Sequence, residues 1–175
     1  MIGRKDFGEA DKIIVFLTER EGKLKALAKG VRKINSRRLS SLELGNQVKL
    51  LVYKGKAFDI ITEVAVIDYF GLKTSSTQLG GIFFLCELVN RLLPEGESNR
   101  QIYQQFLEVR KAIKSGKIEK IVFFEAELLK LLGYGLEPRI KEWLEKRKLR
   151  EAHQALKTRI ETIIERPIKS LAIFY

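Results

Sequence analysis

The chain of 175 residues has one cysteine, one histidine, one methionine, one tryptophan and three prolines. A lone Cys86 forms no intramolecular disulfide. With a lone histidine beside it the chain cannot build a zinc cage, which takes about four nitrogen or sulfur ligands. Cys86 sits in the apolar run IFFLCELV and reads as a small core residue, since nothing near it would activate the thiol. His153 lies in the charged segment REAHQALK and reads as a solvated side chain rather than a general base. Glu125 and Glu127, two apart on a helix, do not face each other. No Walker-type loop or dinucleotide fingerprint occurs, and Gly80–Gly81 and Gly133-x-Gly135 are too sparse to cradle phosphate. No apolar run approaches the ~20 residues of a membrane span, and the start lacks a signal-peptide pattern. These absences point to a cytoplasmic binding protein without membrane contact, catalytic centre, metal or cofactor.

Acids are scarce as well. There are 33 Lys and Arg against 22 Asp and Glu, a net charge of +11. The excess is spread, 14 against 9 up to Gly71 and 19 against 13 beyond it, so an anionic polymer would meet both halves. The deficit is sharpest from Gly22 to Leu42, where Lys23, Lys25, Lys29, Arg32, Lys33, Arg37 and Arg38 occur with no acid between Glu21 and Glu43. The first part alternates, with Leu24, Ala26 and Ala28 on one face and Lys23, Lys25, Leu27 and Lys29 on the other. That is the period of a half-buried strand with a cationic outer face. After Gly30 the serines and Asn35 read as a loop. Those seven cations are the candidate contacts to nucleic-acid phosphates. A second basic cluster, Lys146, Arg147, Lys148 and Arg150, is interleaved with acids and reads equally as a second DNA contact or a solvated helix.

Strand patterns cover Ile2–Lys5, Lys12–Thr18, Lys23–Lys29, Val48–Lys54 and Phe58–Asp68. Four to five strands in about 70 residues, with one long basic loop, fit a small closed barrel, most commonly the five-stranded OB type, which binds oligonucleotides on its strand 2–3 face. Helical periodicity then takes over, with segments Gln78–Leu93, about Asn99 to Lys114, Ile118–Leu132, one opening at Pro138 and one ending near Glu165. The expected class is therefore α+β, an OB barrel over residues 1–71 and a helical bundle over 72–175, with Lys169–Tyr175 packing back. The helix ending at Lys114 has an apolar stripe, Ile102, Phe106, Val109 and Ile113, with Arg110, Lys111 and Lys114 beside it. Charge and barrel alone also allow an RNA-binding OB module of the translation machinery.

The motifs DFGEAD (Asp6–Asp11), Thr18-Glu19, Gly22-Lys23, AKGVRK (Ala28–Lys33) with Ser36, Thr62-Glu63, LLGYG (Leu131–Gly135) and RPIKS (Arg166–Ser170) resemble those of the RecO family of recombinational repair mediators. That resemblance implies an OB barrel followed by a helical domain, and no enzymatic activity. It implies binding of single- and double-stranded DNA, strand annealing, and help in loading recombinase onto strands coated by single-strand-binding protein. The implied partners are RecR, in many bacteria RecF, and the acidic C-terminal tail of single-strand-binding protein. For that tail the expected receptor is the stripe and cations of one helix, Ile102, Phe106, Arg110 and Lys114. Many family members carry a four-cysteine zinc module after a GYGP-like segment, where this chain runs from Leu136 into a charged helix. Members also have several apolar residues ahead of the position of Ile2, so strand 1 is expected to be short here.

Overall fold

The structure is a computed structural model and describes residues 1–33, 39–71 and 74–170. Five strands come first, β1 (Gly3–Phe7), β2 (Asp11–Thr18), β3 (Gly22–Ala28), β4 (Gln47–Tyr53) and β5 (Asp59–Asp68), with a 3-10 turn at Ser40–Leu42. Five helices follow, α1 (Ser76–Leu92), α2 (Arg100–Lys114), α3 (Lys120–Leu131), α4 (Pro138–Glu145) and α5 (Leu149–Ile164). None is long and apolar enough to cross a membrane. The chain divides into two compact units, Met1–Thr74 with Cys86–Arg100, and Ser75–Leu85 with Gln101–Tyr175, so the second half of α1 groups with the strands.

In the first unit the strand order is β1-β2-β3-β5-β4, antiparallel except for the β3–β5 pair. This is the OB order. Ile14, Phe16, Ala26, Ala28 and Ile61 point inward, joined by Met1, Val31 and Leu42. The β2–β3 register sets Ile14 against Ala26 and Phe16 against Leu24, so one alternation supplies the core face. The expected closed barrel is a correction, because the sheet is open. The five residues of β1 are used by β2, and no ladder joins β1 to β4 among the described residues. At that gap the Met1 nitrogen donates to the Asn46 carbonyl (2.8 Å) and the Gly45 N–H to the Met1 carbonyl (3.1 Å). Asn46 is itself buried and satisfied. Its amide donates to the carbonyls of Ser40 and Ser41, and its Oδ1 accepts from the Phe70 N–H.

The helical unit buries Ile82, Phe84 and Leu85 of α1, Ile121, Val122, Leu128 and Leu129 of α3, and Leu156 and Ile160 of α5. Helix α5 packs on both α3 and α4. A Cβ on Gly81 would lie 3.3 Å from side-chain atoms of Ile113 and Ile121, so this glycine lets α1 approach α2 and α3 closely. Cys86 is buried. Of Lys169–Tyr175, expected to pack back, Lys169 is exposed and Ser170 half-buried, while 171–175 lie outside the described residues.

His153 overturns its reading as a solvated side chain. It is 4 % exposed, and its Nδ1 lies 2.7 Å from Oε2 of a fully buried Glu125. Its ring meets Phe84 edge-on at 5.3 Å. The cause is position, because His153 shares a face with Leu156 and Ile160 of α5, and Glu125 shares one with Ile121, Leu128 and Leu129 of α3. Burial pushes the Glu125 carboxyl up to about 7, opposed by the hydrogen bond and charge of His153.

Candidate nucleic-acid interface

Two turns meet at one end of the sheet. The β1–β2 turn carries Asp6–Asp11, and the chain leaving β3 turns at Gly30. The Gly30 N–H donates to Asp11 Oδ1 (2.7 Å) and the Arg32 N–H to the Ala10 carbonyl (2.9 Å). The Arg32 guanidinium reaches the Gly8 carbonyl at 3.1 Å and Asp6 at 3.6 Å. Asp6 also takes a hydrogen bond from Lys12, which together with Arg32 and Arg4 holds its carboxyl below the usual range. The DFGEAD and GVRK motifs are therefore two halves of one clamp, and their acids bond to the root of the basic loop. Lys29 and Lys33 project from that root, exposed and without an ion pair among the described residues. Arg37 and Arg38 lie outside the described residues.

The strand part of the run behaves differently. Gly96 N–H donates to the Lys23 carbonyl (3.1 Å), and Lys23 and Glu95 form a parallel bridge. This segment lies so close that a Cβ on Gly22, whose φ is +64°, would sit 1.9 Å from the Glu97 carbonyl oxygen. Only glycine fits there. The Lys23 ammonium donates to the Asn90 carbonyl (2.8 Å), and its partial burial lowers its pKa against the pull of Glu95. Lys25 is paired with Glu95. Leu27, expected outside, is buried. The freely solvated cationic outer face of β3 is thus corrected. A segment some 70 residues downstream in sequence covers its start and brings an acid to it.

A cleft of about 660 Å³ lies beside this contact, lined by Arg20, Lys23, Lys25 and Lys54 together with Glu21, Asp59 and Glu95. With four cations against three acids it is nearly neutral, and it suits a polyanion less well than the loop does. Lys54 bonds Asp59 at 2.9 Å and Glu21 at 3.4 Å, and these partners raise its pKa, Asp59 most. Sequence reasoning also missed a pair of half-exposed rings near the clamp, Phe7 and Phe58, whose centroids lie 5.3 Å apart.

In the helical unit the second basic cluster occupies the exposed α4–α5 turn. Lys146 is paired with Glu142 at 2.7 Å, a contact that raises the one pKa and lowers the other. Arg147 holds a left-handed φ of 54°. Arg150 lines a cavity of about 1020 Å³ with Tyr134, Trp143, Arg159 and Ile163. The face of α2 proposed for a peptide is interior, because Ile102, Phe106 and Arg110 are 1 %, 4 % and 4 % exposed and only Lys114 is partly accessible. That assignment is corrected: an apolar stripe at helical spacing is here a core face. Among the described residues no group of three His, Cys, Asp or Glu side chains could hold a metal ion.

An OB-ordered sheet joined to a helical region places the chain in the class of OB-fold proteins. Residues 1–70 match the model of the recombination protein O N-terminal region, and residues 74–138 that of its C-terminal region. Similar proteins named DNA repair protein RecO include one from Clostridium acetobutylicum, 36 % identical over 139 residues (75 % of this chain, 55 % of that protein). Another, from Pelotomaculum thermopropionicum, is 31 % identical over 132 residues (74 % and 52 %). A third, from Roseiflexus sp., is 31 % identical over 137 residues (77 % and 48 %). The chain belongs to the RecO family. It spans about half the length of the curated relatives it matches.

Proposed function

We propose that this chain serves DNA repair as a cytoplasmic, nucleoid-associated mediator that binds single- and double-stranded DNA and anneals complementary strands. In this reading it helps load recombinase onto DNA coated by single-strand-binding protein, together with RecR and, where present, RecF. One observation carries the reading: among the described residues Lys29 and Lys33 have no ion pair, and they stand at the start of an acid-free stretch on an OB-ordered sheet, with Arg32 in the clamp behind them. Arg37 and Arg38 extend the same charge. Five such cations on a single strand give log K a slope of about −3 to −4 against log salt. The relatives' names, which specify DNA repair, favour DNA over an RNA partner. Competition between unlabelled DNA and RNA of one sequence tests that choice. Annealing of complementary oligonucleotides, with and without single-strand-binding protein, tests the activity, and a rate equal to the protein-free control rejects it.

For the acidic tail of single-strand-binding protein, the helical unit offers a better receptor than α2. The α4–α5 cavity joins an apolar wall, Trp143 and Ile163, to the cations Arg150 and Arg159. Arg159 is shared with Glu137 at 2.8 Å, so Arg150 is the cation open to a carboxylate. A tail peptide should bind with micromolar affinity, about −8 kcal/mol. Arg150→Glu should abolish that binding, and binding unchanged by it would place the receptor elsewhere.

A further inference from the structure

Phe7 ends β1 opposite Asp11, and Phe58 stands at the end of the β4–β5 connection. Both rings are about two-fifths exposed, in a unit whose other phenylalanines, Phe16 and Phe70, are buried. Each is held from behind. Phe7 is fixed by the β1–β2 ladder and by Arg32, which bonds the backbone of Gly8 and the carboxylate of Asp6 on either side of it. Phe58 is fixed because its connection folds back so tightly that a Cβ on Gly55 would lie 2.2 Å from the Phe58 carbonyl oxygen. Lys54 and Asp59 close that connection with a 2.9 Å bond.

The rings meet edge-on, 67° apart. An edge-on pair leaves both faces of one ring and one face of the other uncovered by the partner. Exposed cations lie close by in the chain or in contact with it: Lys5 two residues before Phe7 on the same strand face, Lys56 two residues before Phe58, and Arg32, which bonds Asp6 and Gly8 on either side of Phe7. Three of the four neighbouring acids are engaged, Asp6 by Lys12 and Arg32, Asp11 by the Gly30 N–H, and Asp59 by Lys54. Glu9, in the exposed turn, is the fourth. Rings with open faces among cations are what single strands use, stacking for the base and charge for the phosphate.

We propose that Phe7 and Phe58 form a stacking platform for unpaired bases, beside the clamp that Arg32 makes with Asp6 and Gly8. This rests on the DNA-binding reading above and adds that the unit distinguishes unpaired strands from duplex, whose bases are already stacked on each other. The alternative is that the pair only packs the hairpin against the connection, which predicts altered stability and unaltered base dependence.

The test measures affinity for a thymidine oligomer, an abasic strand of equal length and a duplex, using the full chain. Phe7→Leu and Phe58→Leu keep apolar contact and remove the ring faces. Each should weaken binding to the thymidine oligomer by about fivefold to a hundredfold, the range of one stacked base. Binding to the abasic strand and the duplex, and the salt slope, should stay unchanged. Equal losses on all three, or no loss on any, overturn the platform while leaving DNA binding intact. Failure of the wild-type chain to bind any strand overturns both. Should the leucine variants fail to fold, Phe58→Trp decides, since a larger ring face should tighten binding to the thymidine oligomer but not the abasic strand. Unchanged thymidine binding by that variant also overturns the platform.

Discussion

One pair in each unit shows two opposite uses of charge. In the sheet unit Lys25 meets Glu95 at the surface, both about half exposed, where an ion pair contributes roughly 0 to 1 kcal/mol. In the helical unit His153 meets Glu125 in the interior, where leaving one partner alone costs about 3 to 5 kcal/mol. Surface pairing is cheap to undo, so removing the acid frees the lysine at little cost in stability. Buried pairing is a condition of the fold. The charge of Lys25 can therefore be released for binding, whereas the His153–Glu125 pair governs stability.

The largest effect is expected from His153→Ala, which strands the Glu125 carboxyl. About 3 kcal/mol should be lost at pH 8 in urea unfolding, and less at pH 5, where Glu125 takes up a proton and the charge disappears. A loss below about 1 kcal/mol at pH 8 would erase the contrast between the units. Next comes Glu125→Gln. The folded carboxyl sits near 7 against an ordinary 4.5, so Glu125 favours the folded state fully below about 4.5 and loses that advantage as pH rises through 7. The wild type should lose about 3 kcal/mol between those limits. The glutamine variant should be nearly flat there, and parallel pH profiles would refute the assignment.

On the binding side, Lys29→Ala/Lys33→Ala should flatten the salt slope for single strands by about one to one and a half and weaken binding about tenfold. Lys23→Ala/Lys25→Ala should change the slope by less than about half a unit, because both cations are already engaged. If the two double variants behave alike, the division of the basic run fails. The smallest effect belongs to Glu95→Gln. Stability should move by no more than about 0.5 kcal/mol. The salt slope should steepen by up to about 0.7 for each lysine released, and an unchanged slope would mean that Glu95 restrains neither.

The strands were legible because their apolar residues alternate and their turns carry glycine, and nearly every element starts within two residues of its expected place. The DFGEAD and GVRK motifs were legible as a family signature before their role as a clamp was visible, since that role needs Asp11 and Gly30 in register across β2 and β3. What stayed hidden depended on partners remote in sequence. Lys25 reads as acid-free until the chain returns with Glu95. Their chemistry alone sets His153 and Arg110 at the surface, although each sits on an apolar stripe at three- and four-residue steps, and that spacing places them inside. Phe7 and Phe58 lie 51 residues apart, and nothing local in either segment announces the other ring.

Asn46 has a consequence in time as well as in energy. Its backbone carbonyl accepts from Met1, 45 residues away, while its side chain reaches the Phe70 N–H, 24 residues away, and the nearby carbonyls of Ser40 and Ser41. The β2–β3 hairpin can zip from its own turn, but those long-range bonds need the start and the end of the sheet unit already side by side, a closure that is slow to reach by chance. Asn46 is thus a latch set after the folding barrier rather than part of the nucleus. Asn46→Ala should speed unfolding and barely touch the refolding rate.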